Sequence, residues 1–145
     1  MAKALILDST LREGEQTPGV SFSIEEKVEI AKGLDDANVP MIEAGHPAVS
    51  KDVAEAVKRI SAERLTAEIL AHSRAIISDV DAALKTDVQR VAIFIGVTEM
   101  KLKSLRMTED MAIEAAVKSV EHARDHGVKV RLRQRTVPGQ TAIMS

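Results

Sequence analysis

Two hydrophobic rhythms alternate along this chain, and together they predict its elements. Short unbroken apolar runs read as strands covered on both faces, and apolar residues recurring every three or four positions read as helices with one buried side. Leu5–Leu7 is the first run and is expected to be a strand. Ser23 and Glu26 have the spacing of a capping box, in which each side chain satisfies a backbone amide of the other residue. Ile24, Val28, Ala31 and Leu34, flanked by Ile30 and Ala37, then predict a helix to Asn38, ended by Pro40. Met41–Gly45 is the second strand, and a helix over 51–62 buries Val53, Ala56, Val57 and Ile60. Leu65–Ala71 is the third strand, running into His72-Ser73-Arg74, and a short helix is expected over 78–86. The fourth strand lies within 88–97 around Val91–Gly96 and is followed by a polar segment, Thr98–Met107. Thr108 caps a long helix whose first turn carries Glu109 and Asp110, as the helix dipole favours. Ile113, Ala116, Val117, Val120 and Ala123 form its expected buried stripe, Gly127 its C-terminal cap, and Val128–Leu132 a fifth strand.

Strand and helix thus alternate four times and a fifth strand opens, which predicts an α/β fold with a parallel sheet and helical crossovers. In such sheets polar residues at the carboxyl ends of strands are where chemistry collects, whether the sheet closes into a barrel or stays open. Periodicity does not separate those two folds.

Composition narrows the function classes. The 145 residues suit one domain, with 45% hydrophobic content for its core. A net charge of -2 gives no reason to expect nucleic acid or an anionic membrane as partner. With no cysteine, disulfides, thiolate metal sites and a cysteine nucleophile are excluded. The opening residues carry no signal-peptide pattern, and no apolar run approaches the roughly 20 residues of a membrane helix, so a soluble cytoplasmic protein is expected.

The candidate chemistry begins where the first strand ends. Asp8, Arg12, Glu13, Glu15 and Gln16 crowd around Gly14 in the string DSTLREGEQ. That string resembles the first-strand signature of the acyl-CoA condensing enzymes among the DRE-TIM metallolyases, whose domain is HMGL-like: homocitrate, isopropylmalate and citramalate synthases. The resemblance continues through TPGVSFSIEEKVEIAKGLDDANVPMIEAGHP and on to about Leu132. It implies a TIM barrel, of which the chain holds about half, since a whole one takes about 250 residues. It also implies that Glu13 binds a divalent metal (Mg, Mn or Zn), that Arg12 steadies negative charge on a keto-acid oxygen, and that Gln16 lies near substrate. Glu13 stands where isopropylmalate synthases usually have aspartate, which leans the resemblance towards homocitrate synthase. The implied reaction condenses acetyl-CoA with a 2-oxo acid, 2-oxoglutarate by that lean, with isopropylmalate- or citramalate-type condensation or a non-catalytic half-barrel as the alternatives. Self-association into a homo-oligomer is expected.

Other residues are weighed on their own chemistry. Glu43 is a carboxylate inside an apolar strand, which is costly unless paired or at a site, and Arg12 is its natural partner. His46 precedes Pro47 and is either near the same mouth or an exposed loop residue. His72 and Arg74 end the third strand, where homocitrate synthases have a similar His-x-Arg near the keto acid, and arginine suits bidentate carboxylate capture. Lys101, Lys103 and Arg106 are either contacts for coenzyme A phosphates or a solvated basic loop. His122 and His126 have the spacing of a two-histidine metal site without its glutamate, so protonation near a helix C-terminus is the preferred account.

The organisation expected is 1–132 as the half-barrel and 133–145 as an atypical tail. RQRTVPGQTAIMS lacks the Ala-Glu-Asp and Thr-Arg pattern of the resembled family, which a shifted reading frame can restore; the hypothesis is a frameshift after about Leu132. Gene sequencing tests it, and an intact frame followed by unrelated sequence would end it. The His-x-His pair that completes the family's metal site is not in this sequence, so weak metal binding and little turnover are expected.

Overall fold

The computed structural model describes residues 4–96, 98–135 and 143–144. Strands β1 (Leu7–Asp8), β2 (Met41–Gly45), β3 (Glu68–Arg74), β4 (Arg90–Gly96) and β5 (Lys129–Arg135) pair in sequence order, all parallel. A short strand β6 (Ile143–Met144) lies antiparallel on β5. Helices α1 (Ile24–Asp36), α2 (Lys51–Ala62), α3 (Ile77–Leu84), α4 (Glu99–Ser104) and α5 (Glu109–Asp125) supply the connections. Consecutive parallel pairing through helical crossovers curls the sheet into half of a barrel.

The core lies between the sheet's outer face and the helices. Ile42, Ile69, Ala71, Val91 and Ile93 from the strands meet Val28 and Ala31, Val57 and Ile60, Val80 and Ala83, and Ala123 from the helices. The predicted capping box is formed: Glu26 N donates to Ser23 Oγ at 3.1 Å and Ser23 N to Glu26 Oε2 at 2.7 Å. Gly45 closes β2 at φ 155°, and a Cβ there would stand 3.0 and 3.1 Å from Val53 and Val57, so glycine is what lets α2 pack this closely.

Several expectations are corrected. The first strand is only Leu7–Asp8, and Leu5 and Ile6 are 69% and 66% exposed rather than covered, because among the described residues β1 pairs on one side only. The third strand starts at Glu68 and takes in His72 and Arg74. The polar segment 98–107 contains helix α4, capped by Thr98 Oγ1. Along α5 the buried positions are Ala112, Ala116, Ser119 and Ala123, and Ile113 and Val117 are half exposed. Small residues face inward there because α5 packs closely on both β4 and α3.

The fifth strand extends beyond Leu132 through Arg135, with Phe94↔Arg133 and Gly96↔Arg135 in register. Most of the 133–145 tail, and Val97 of the predicted fourth strand, lie outside the described residues. Among the described residues no helix is long and apolar enough to cross a membrane.

Candidate functional site

The chain leaves β1 through a turn held by its own side chains. Asp8 accepts from Thr10 N at 2.9 Å and Thr10 Oγ1 at 3.1 Å, an Asx-type arrangement that reverses the chain. The Ser9 carbonyl then accepts from Arg12 N and Glu13 N at 3.2 and 2.8 Å. Leu11 is buried as an anchor, which directs Arg12 over the carboxyl end of the sheet. Glu15 fixes the far side of this loop: its carboxylate pairs with the buried Lys27 of α1 at 2.8 Å and accepts from Phe22 N at 3.3 Å.

Arg12 meets Glu43 of β2 in a buried ion pair through Nε, with side chains 10% and 5% exposed. Its Nη2 also reaches Glu13 Oε1 at 2.9 Å. The Glu13 carboxylate is more than half open to solvent, so Arg12 links an exposed acid at the mouth to a buried one in the wall. His72 Nδ1 stands 3.7 Å from Glu43 Oε1, and its ring stacks on Phe94 with centroids 4.4 Å apart. Burial, and then the positive charge of Arg12, pull the His72 pKa down to about 3, so this imidazole is neutral at ordinary pH.

A second cluster adjoins the first. Arg74 makes a two-pronged contact with the buried Asp79 of α3, Nε to Oδ2 at 2.8 Å and Nη2 to Oδ1 at 3.0 Å. His46 Nε2 reaches the same Oδ2 at 3.0 Å, and the His46 ring lies edge-on to His72 at 5.2 Å. Burial alone would raise the Asp79 carboxyl; hydrogen bonds from Arg74 and His46 outweigh it and hold the group below its ordinary range.

Arg12, Glu13, Glu43 and His72 are therefore brought together, and Gln16 shares a shallow pocket with Arg12 and His46. Arg74 turns instead towards Asp79, with its side chain 54% exposed. His122 bonds Asp81 at 2.6 Å across to α3, away from these groups. Sequence reasoning missed Asp79, Phe94 and the Glu15–Lys27 pair. An acid in the first turn of the helix following His72 and Arg74 was the signal available for Asp79.

A divalent cation needs several donors in fixed geometry. Among the described residues no cluster of three or more His, Asp or Glu could hold a metal ion. Glu43 is committed to Arg12, and Glu13 offers a single carboxylate that Arg12 already contacts, so these residues alone do not fit a metal centre.

Comparison with known proteins agrees with this architecture. The HMGL-like family model matches residues 3–138. Homocitrate synthase of Saccharolobus solfataricus is 51% identical over 136 residues, covering 90% of this chain and 30% of that protein. Homocitrate synthase of Sulfurisphaera tokodaii is 51% identical over 134 residues, covering 89% of this chain and 29% of that protein. The chain thus spans about 30% of the length of the curated relatives it matches. The HMG-CoA lyase of Bacillus subtilis superposes with a TM-score of 0.78 at 18% identity, and the hydroxymethylglutaryl-CoA lyase of Pseudomonas aeruginosa with 0.75 at 22%. Each match covers 98% of this chain and 50% of the lyase.

Proposed function

The chain belongs to the HMGL-like family, and on that premise we propose that it carries the first part of an acyltransferase site that condenses acetyl-CoA with a 2-oxo acid, 2-oxoglutarate by preference. The observation that carries this reading is the buried Arg12–Glu43 pair at the carboxyl end of the parallel sheet, with neutral His72 beside it.

In such a condensation the acetyl methyl carbon joins the keto carbon, and negative charge gathers on the keto oxygen. A guanidinium already fixed where that charge develops stabilises it without reorganising. Glu43 holds Arg12 in place from the wall, so that its fixed positive charge stands where the oxygen gains negative charge. Neutral His72 provides a ring nitrogen that orients substrate without adding positive charge. Arg74 uses two donors on Asp79 and has others for a substrate carboxylate. Gln16 lies beside Arg12 as a further polar contact. Glu13 would give a metal one ligand, and the remaining donors would have to come from outside the described residues.

The test is acceptor preference, read as binding and as acetyl-CoA-dependent thiol release, with 2-oxoglutarate, 2-oxoisovalerate and pyruvate. Preference for 2-oxoglutarate supports the proposal. Preference for 2-oxoisovalerate or pyruvate would transfer it to isopropylmalate- or citramalate-type condensation.

One observation favours a second reading, a non-catalytic half-barrel that associates. Leu5 and Ile6 at the β1 end of the sheet and Ile113 and Val117 near the β5 end are exposed, and bare apolar surface at open sheet ends invites association.

A further inference from the structure

Helix α5 has two apolar faces, and its own chain covers only one of them. The residues it buries are small: Ala112, Ala116, Ser119 and Ala123. The bulkier Ile113 and Val117 lie on the adjacent face, 50% and 49% exposed. With Val120 they border a groove completed by Ile95 of β4 and Leu132 of β5. A helix that met only its own core would bury the large side chains and expose the small ones. In a closed barrel the following crossover helix lies on such a face. Here β6 instead runs back along the edge of β5, with Leu132↔Met144 and Arg133↔Ile143 in register, and among the described residues the groove beside α5 stays open.

The order of residues along this face indicates what covers it. Glu109 in the first turn and Arg124 in the last line the same groove as the apolar residues between them. The stripe reads Glu109, Ile113, Ala116, Val117, Val120, Arg124, and its spacings of 4, 3, 1, 3 and 4 are the same from either end. A second α5 laid antiparallel about a two-fold axis between Ala116 and Val117 therefore sets Ile113 against Val120 and Glu109 against Arg124, each of them twice. Parallel helices would instead set Glu109 on Glu109 and Arg124 on Arg124, which repel. Lys118 and Glu114 are already paired within the helix at 3.0 Å, whereas Glu109 and Arg124 form no ion pair among the described residues. An apolar centre with opposite charges at its two ends is self-complementary under that axis and under no parallel arrangement.

We propose that this face docks a second copy of the chain, with the two α5 helices antiparallel across a two-fold axis. The contact is independent of the acyltransferase chemistry. It rests on the associating reading above and names the surface that reading uses.

The test is sedimentation equilibrium of the intact chain from micromolar to millimolar concentration, with Val117→Asp, Glu109→Lys and Arg124→Glu as variants and thermal melts to show that each is folded. A reversible dimer is expected. Val117→Asp puts a carboxylate beside the axis and should weaken it by about tenfold or more. Glu109→Lys and Arg124→Glu each turn two attractions into two repulsions and should weaken it by roughly three- to tenfold at low salt, since exposed pairs are individually weak. Mixed in equal amounts, these two variants should associate as tightly as the parent chain, because in the mixed dimer each reversed charge meets its complement. Mixing that restores nothing overturns the antiparallel pairing. A dimer indifferent to all three variants overturns the α5 surface alone and leaves association to another part of the chain, such as Leu5 and Ile6. A chain that is monomeric at millimolar concentration overturns the surface and the associating reading together.

Discussion

The guanidinium of Arg12, from the loop after β1, closes on the carboxylate of Glu43 inside the wall of the half-barrel, and both side chains are almost wholly removed from solvent. Removing one partner of such a pair strands the other as a buried charge, which costs about 3–5 kcal/mol, whereas replacing both is far less harmful. Glu43→Gln should therefore lower the urea midpoint sharply, moderated by the contact Arg12 keeps with Glu13. The double variant Arg12→Met/Glu43→Gln should lose less than the sum of the two single changes. Additive losses would mean that the pair is not coupled.

His72 gives the fold a pH dependence of fixed sign. Its folded pKa, about 3, lies below the ordinary histidine value of 6.5, so between those values the unfolded chain binds the proton that the folded chain refuses. Stability should rise with pH across that window and fall as the solution is acidified through it. Melting temperatures at pH 7 and pH 5, above most carboxylate titrations, isolate the effect. The drop should shrink in His72→Asn, and an equal drop in that variant would show that another group is responsible.

Arg74 is held by Asp79 with part of its fork left open, which suits it to a substrate with a second carboxylate. Arg74→Ala should weaken 2-oxoglutarate binding by about 10- to 100-fold, the range of a charge-assisted hydrogen bond, and leave pyruvate within a factor of about two. Calorimetric titration of both ligands measures this. Equal losses for the two acceptors would remove Arg74 from acceptor selection.

Gly45→Ala puts a methyl group against Val53 and Val57 and strains a positive φ. A loss of about 1–3 kcal/mol is expected, measured by urea unfolding. A neutral result would mean that α2 can shift away from the sheet at little cost.

The order of elements was legible in the sequence because it rests on local signals. Ser23 and Glu26, the alternation of buried runs and Thr108 at its helix start each act within a few residues. Leu5 and Ile6 misled for a non-local reason: a run looks doubly covered only if strands lie on both sides, and among the described residues β1 has a neighbour on one. Ile113 and Val117 misled because apolar residues outside the contact with β4 and α3 were counted with those inside it. At the candidate site, the pairing of Arg12 with Glu43 was legible from the cost of burying a lone carboxylate. The capture of Arg74 by Asp79 was not, because it depends on how the first turn of α3 sits against the end of β3.

In the proposed reaction Arg12 presents its charge to a 2-oxo acid. The Nε–Hε resonance of the Arg12 side chain, followed by NMR while 2-oxoglutarate is added, tests it most directly. A saturable shift of that resonance with 2-oxoglutarate is expected, larger than with pyruvate or 2-oxoisovalerate and lost in Glu43→Gln. An Arg12 resonance that stays put while amides elsewhere respond would contradict it.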